Sequence, residues 1–178
     1  MPDIGIYMNR HTNQGRRIAC AAAGILLLTG FDQLTKQLAR THLKNAPDII
    51  LIDRVLQLHY LENRGAAFGI LQNRQWVFLL LAACFIAAAG FFYFRILPEA
   101  SFFPMRACLV FLISGAAGNL IDRAFSGYVT DFIYFSLIDF PVFNFADICV
   151  CCSMAGILYL VFFYYKDEDY EFLRQKRS

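Results

Sequence analysis

From Trp76 to Phe94 the chain runs for 19 residues without a charge, between Arg74 and Arg95. A stretch of that length and composition is a helix across a bilayer, because only a helix satisfies its own backbone in hydrocarbon. Ile148 to Tyr165 is a second such run, beginning just after Asp147 and ending at Lys166. Two others are less clean. Ile18 to Phe31 continues into Asp32-Gln33-Leu34-Thr35-Lys36, and Ala107 to Ile121 lies between Arg106 and Asp122-Arg123. Each spans if its polar end sits at the interface or against protein. The composition agrees: 58% of the 178 residues are hydrophobic and 17% charged, against about 45–50% and about 25% in soluble domains. A water-soluble domain, a disordered chain, a collagen and a basic nucleic-acid binder are all excluded. The expected fold is an all-α integral membrane protein of one domain, residues 1–178, with four transmembrane helices.

Arg10, Arg16 and Arg17 precede the first apolar run as in a signal peptide, but Asp32 and Lys36 follow it instead of a small-residue cleavage site, so it reads as a retained helix. With both termini cytoplasmic, 9 of the 16 Lys and Arg lie inside and 7 outside, a modest bias in the expected direction. Residues 1–17 and 166–178 read as solvated cytoplasmic tails. Residues 41–73 form an extracytoplasmic loop that holds His42 and His59. Within it Ile49 to Leu61 partly alternates, which predicts a strand or hairpin turning at Asp53-Arg54; a small sheet there offers an edge to an extended peptide. All six cysteines fall in the spans and read as packing residues. No metal site is expected, since Cys149, Cys151 and Cys152 on consecutive helical positions cannot face one ion.

Because successive helices cross in alternate directions, depth can be read from position along each run. Asp32 and Lys36 end the first span, Asn63 to Gly69 leads into the second, Asn119, Asp122 and Arg123 end the third, and Asn144 and Asp147 open the fourth. Polar residues from every span thus meet at one membrane face, the outer one if the termini are inside. The other face carries only flanking charges. Caps and snorkelling side chains account for such residues singly; a gathering from four spans points to a site.

No His lies in a span, so carboxylates are the reactive groups at hand. Paired carboxyls hold one proton between them, and the ionised partner can activate water. Asp122, Asp131, Asp139 and Asp147 are the candidates. Asp122 has Arg123 beside it and Asn119 a turn back, which reads as a structural acid holding Arg123. Asp131, in the apolar stretch Tyr128 to Phe135, lacks a basic neighbour, so burial raises its pKa. Asp147 sits in the first turn of a helix, after an Asn144 N-cap, where the dipole favours its anion. Asp131 is then the proton carrier and Asp147 the base. The residues alone also admit a proton-coupled transporter or a non-enzymatic assembly factor.

D-Q-L-T-K at 32–36, N-R-G-A-A-F-G at 63–69, G-N-L-I-D-R at 118–123, V-T-D-F-I at 129–133 and F-N-F-A-D at 143–147 resemble the motifs of lipoprotein signal peptidase (signal peptidase II), in order. That resemblance implies an aspartic endopeptidase of the bacterial cytoplasmic (inner) membrane, with four helices and a small extracytoplasmic β element. It implies cleavage of prolipoproteins on the amino side of a diacylglyceryl-modified cysteine, near the extracytoplasmic face. By motif position the catalytic residues are Asp131 and Asp147, with Asp32, Lys36, Asn63, Gly65, Asn119, Asp122, Arg123 and Asn144 supporting the site or contacting substrate. The implied partners are those lipidated precursors, membrane lipids and globomycin-type inhibitors, with no cofactor, no metal and no nucleic acid. Ser114-Gly115-Ala116-Ala117 departs from the family's frequent Gly-Gly pair, which bears on helix packing there.

Overall fold

The computed structural model describes residues 4–65, 75–96 and 100–170. Four helices cross one another in a bundle: α1 (Ile4–His42), α2 (Gln75–Arg95), α3 (Phe103–Phe125) and α4 (Phe145–Tyr159), the last continued by a π turn, Leu160–Tyr164. Each contains a stretch long and apolar enough to cross a membrane. Leu26, Leu27, Leu80, Phe111, Leu158 and Phe162 are exposed on their outer surfaces, as bilayer-facing side chains must be.

Helix α1 has 39 residues, about 58 Å at 1.5 Å per residue, roughly twice the thickness of a hydrocarbon core. Residues 4–17, expected as a tail, therefore extend the first helix. His42, expected in the loop, is its last residue. Helix α3 starts with Pro104 in its first turn, where a missing N–H costs nothing. Helix α4 starts with a full capping box: the Asn144 side chain accepts from Asp147 N while the Asp147 side chain accepts from Asn144 N. That box ends the preceding loop and aims Asp147 at a defined point.

Small residues let the helices approach. A Cβ on Gly115 of α3 would run into the carbonyl oxygen of Ala146 on α4. One on Gly118 would strike the Asp32 carboxylate of α1. The segment 114–117 thus packs tightly with a single glycine.

Three antiparallel strands cover one end of the bundle in the order β1 (Ile49–Ile52), β2 (Leu56–Asn63), β3 (Val129–Tyr134). The β1–β2 hairpin turns at Asp53-Arg54, with Arg54 left-handed at φ 56°, as the alternation predicts. Strand β3 was not expected. It pairs Leu61 with Asp131 and Asn63 with Val129, and on its other edge Ile133 bridges Phe143. Among the described residues the outer edge of β1 is unpaired, and β2 separates it from Asp131 on β3.

Candidate active site

The buried polar groups concentrate at the sheet end of the bundle. On α1, Asp32, Lys36 and Arg40 recur every four residues and so share one face. Lys36, 0% exposed, spreads its three N–H groups over the Asp32 carboxylate at 2.8 Å, Asn119 Oδ1 at 2.9 Å and the Asp122 carboxylate at 3.5 Å. Asp32 also accepts from Ala146 N at 2.9 Å, satisfying an amide of the first turn of α4. The α1 face therefore fixes where α4 begins and how Asn119 is turned.

Asn119 spends its amide on Asp147, Nδ2 donating to Oδ1 at 2.8 Å. Asn144, 0% exposed, stands between the two carboxyls. Its Nδ2 donates to Asp131 Oδ1 at 2.6 Å, its Oδ1 accepts from Asp147 N at 3.0 Å, and its own N–H donates to Asp147 Oδ2 at 3.1 Å. Asn63, at the end of β2, donates from Nδ2 to Asp131 Oδ2 at 2.8 Å and accepts from Gly65 N at 3.0 Å. One asparagine thus links Asp131 and Asp147, and neither forms an ion pair among the described residues. Asp131 is 1% exposed. Burial, then the neighbouring Asp147 charge, outweighs its two amide donors and pushes its pKa up to about 7.

Both carboxyls line a cavity of about 1130 Å³, together with Asn63, Gly65 and Arg123. Arg123 lies over the Phe78 ring at 4.7 Å and points Nη2 at the Gly65 carbonyl, 3.4 Å away. The cavity lining combines the carboxyl pair and Arg123 with Glu62, Arg64 and Asp139 and with apolar Phe140, Phe143 and Ile148. Such a site can polarise a carbonyl and activate water beside a greasy ligand.

A sequence model described as signal peptidase (SPase) II matches residues 24–163. The chain belongs to the signal peptidase II family. It is 41% identical over 140 residues to the lipoprotein signal peptidase of Clostridioides difficile (strain 630), covering 78% of this chain and 93% of that one. To the lipoprotein signal peptidase of Streptococcus thermophilus (strain CNRZ 1066) it is 37% identical over 154 residues, 86% of this chain and 97% of that one. Two solved structures titled as a bacterial membrane enzyme share the fold. Their TM-scores are 0.71 each, at 26% and 28% identity, over 90% and 83% of this chain and 94% and 96% of theirs. Members of the signal peptidase II family are membrane proteases that remove signal peptides from prolipoproteins.

In this signal peptidase, the structure brings together Asp131, Asp147, Asn63, Asn119 and Asn144 in one hydrogen-bonded set, with Asp32 and Lys36 behind it. Asp122 departs from its expected partner. Its carboxylate is taken by Arg40 at 2.7 Å, by Lys36 and by Thr130 N at 3.0 Å, while Arg123 turns to Gly65. Adjacent helical positions point about 100° apart, so neighbours in sequence seldom pair. Of the motif at 63–69, residues 66–69 lie outside the described residues. Asp139 sits left-handed at φ 50° and accepts from the Tyr134 hydroxyl; it lines the same cavity but lies outside the asparagine-linked set. The sequence reading missed Arg40 and Thr130; the four-residue recurrence from Asp32 was the signal for the first.

Proposed function

We propose that this signal peptidase is an aspartic endopeptidase in which Asp131 and Asp147 activate one water against the scissile peptide bond of a diacylglyceryl-modified prolipoprotein. The observation that carries the reading is Asn144, which donates to the Asp131 carboxyl from its side chain and to the Asp147 carboxyl from its backbone N–H, and opens α4 with Asp147 in place. Ionised Asp147 takes a proton from water as the oxygen adds to the scissile carbonyl carbon. Protonated Asp131 gives its proton to the carbonyl oxygen, leaving a neutral tetrahedral diol. On collapse Asp147 returns a proton to the leaving amine of the lipidated cysteine, the diol hydroxyl gives its proton back to Asp131, and the C–N bond breaks.

The remaining residues have roles consistent with this. Arg123, braced on Phe78, and the Asn63–Gly65 turn border the place where a peptide carbonyl must lie. Glycine at 65 keeps a side chain out of that approach. In the proposed orientation both termini are cytoplasmic, and the sheet and cavity face the extracytoplasmic side of the inner membrane, where a diacylated cysteine is anchored. Globomycin-type cyclic peptides would occupy the same cavity.

The test is Asp131→Asn and Asp147→Asn in purified protein with a lipidated precursor. Each is expected to cut turnover by about 10²–10⁴-fold, the range for a lost general acid or base, while precursor still binds. Turnover within tenfold of wild type in either variant would sink the aspartic mechanism.

A further inference from the structure

We propose that Arg40 is a positioning residue for catalysis, clamping Thr130, the residue immediately before Asp131, both directly and through Asp122; the inference rests on the aspartic reading above. Arg40 Nε donates to Thr130 Oγ1 at 2.8 Å and its Nη2 to Asp122 Oδ1 at 2.7 Å. The other Asp122 oxygen accepts from Thr130 N at 3.0 Å. The hydroxyl and the amide of Thr130, a residue with 0% exposure, therefore close on one Arg–carboxylate pair. Thr130 precedes Asp131 in β3, so this ring sets from behind the plane from which the Asp131 side chain projects. Asn63 and Asn144 set the carboxyl from the front.

The fork geometry needs arginine. A guanidinium donates in two fixed directions at once, whereas an ammonium is a point charge. Arg40 also closes a charge balance, since the buried Asp32 and Asp122 face the buried Lys36 and the partly exposed Arg40. Lys36 divides its bonds among three acceptors, so Arg40 is the close cation of Asp122. Without it the Asp122 carboxylate, bound to Thr130 N, keeps only the more distant Lys36 as a counter-charge among the described residues. The charged or polar groups facing Asp131 itself are Asp147 on α4, Lys36 on α1, Arg123 on α3, Asn63 on β2 and Asn144. Loss of the Arg40 positive charge behind them favours the protonated pair and moves both limbs of the pH–rate profile upward.

The experiment compares Arg40→Gln, Arg40→Lys and Thr130→Val with wild type, each in detergent or nanodiscs with a lipidated precursor, reading kcat across pH and thermal unfolding. Arg40→Gln is expected to lose about tenfold or more in kcat and to shift its alkaline limb up by about half a pH unit or more. Arg40→Lys should return the limb to its wild-type pH without restoring kcat. Thr130→Val should lose kcat with the limb unmoved. Folded Arg40→Gln with wild-type kcat and pH profile overturns the proposal. If Arg40→Gln does not fold, wild-type kcat in both Arg40→Lys and Thr130→Val overturns it instead. Asp131→Asn runs alongside: full turnover there would refute the aspartic mechanism, whereas an inactive Asp131→Asn beside an unaffected Arg40 series would refute only the clamp.

Discussion

At the scale of single residues, the site is a contest over one proton. Burial and the Asp147 charge raise Asp131, while the amides of Asn63 and Asn144 lower it, and the outcome is a pKa pushed up to about 7. A general acid works while protonated, so activity should fall as pH rises through about 7. Asn63→Ala removes a donor to the anion. Because that donor lowers the pKa, its loss raises it, and the alkaline limb should move up by about 0.5–1 pH unit, given about 0.5–1.5 kcal/mol per hydrogen bond and 1.36 kcal/mol per pH unit. The check is a pH–kcat series on the variant; a limb that stays put or moves down contradicts the assigned acid. The pairing of Asp131 with Asp147, which meet through Asn144, was suggested by the sequence, where one sits in an apolar stretch and the other behind an N-cap. The partners of Asp122 were not, because they come from α1 and β3, more than eighty positions back and eight positions on.

At the scale of elements, the spans were legible as uncharged runs of crossing length, and the β1–β2 hairpin as a partial alternation around Asp53-Arg54. Strand β3 was not. Its alternation puts Asp131 on the same side as Val129 and Ile133, and a buried carboxylate on an apolar face erases the pattern that marks a strand. Function here breaks the local rule, as it does where a site is built into a fold. Packing of the helices is a second element-scale property that sequence shows only as composition. The Gly115 position is closed by Ala146, with Val150 Cγ2 at 2.9 Å and Cys149 Cβ at 3.1 Å from an added Cβ, whereas nothing lies within 4 Å of one on Gly90. Gly115→Ala must therefore push α3 from α4 and should destabilise by about 1–3 kcal/mol, the usual cost of overpacking. Gly90→Ala gains helix propensity in open space and should stabilise by about 0.5–1 kcal/mol. Thermal unfolding of the two variants in one detergent reads both signs, and equal shifts would show that the tight crossing is absent in solution.

At the scale of the whole molecule, polarity is inverted relative to a soluble enzyme: the outer surfaces of the helices are rich in exposed apolar side chains, and the buried acids Asp32, Asp122 and Asp131 with Lys36 gather at one end, under the sheet. The cavity lies at that end, with Phe78 of α2 and Ile148 of α4 among its apolar walls, so a ligand can reach the carboxyls while part of it stays among lipid chains. In the proposed mechanism a cysteine carrying two acyl chains would be held by its own anchor, and a scissile bond next to it would reach Asp131 and Asp147 already confined in depth. A precursor lacking the lipid must find that depth unaided and leaves the apolar walls uncovered. Since small misplacements of a reacting bond cost about a hundredfold, the non-lipidated precursor should show kcat/KM lower by at least about that factor. Purified enzyme in nanodiscs, given matched lipidated and non-lipidated precursors, measures the ratio directly. Equal processing of the two would mean that the anchor contributes nothing to positioning, and that the depth of the carboxyl pair does not select the substrate.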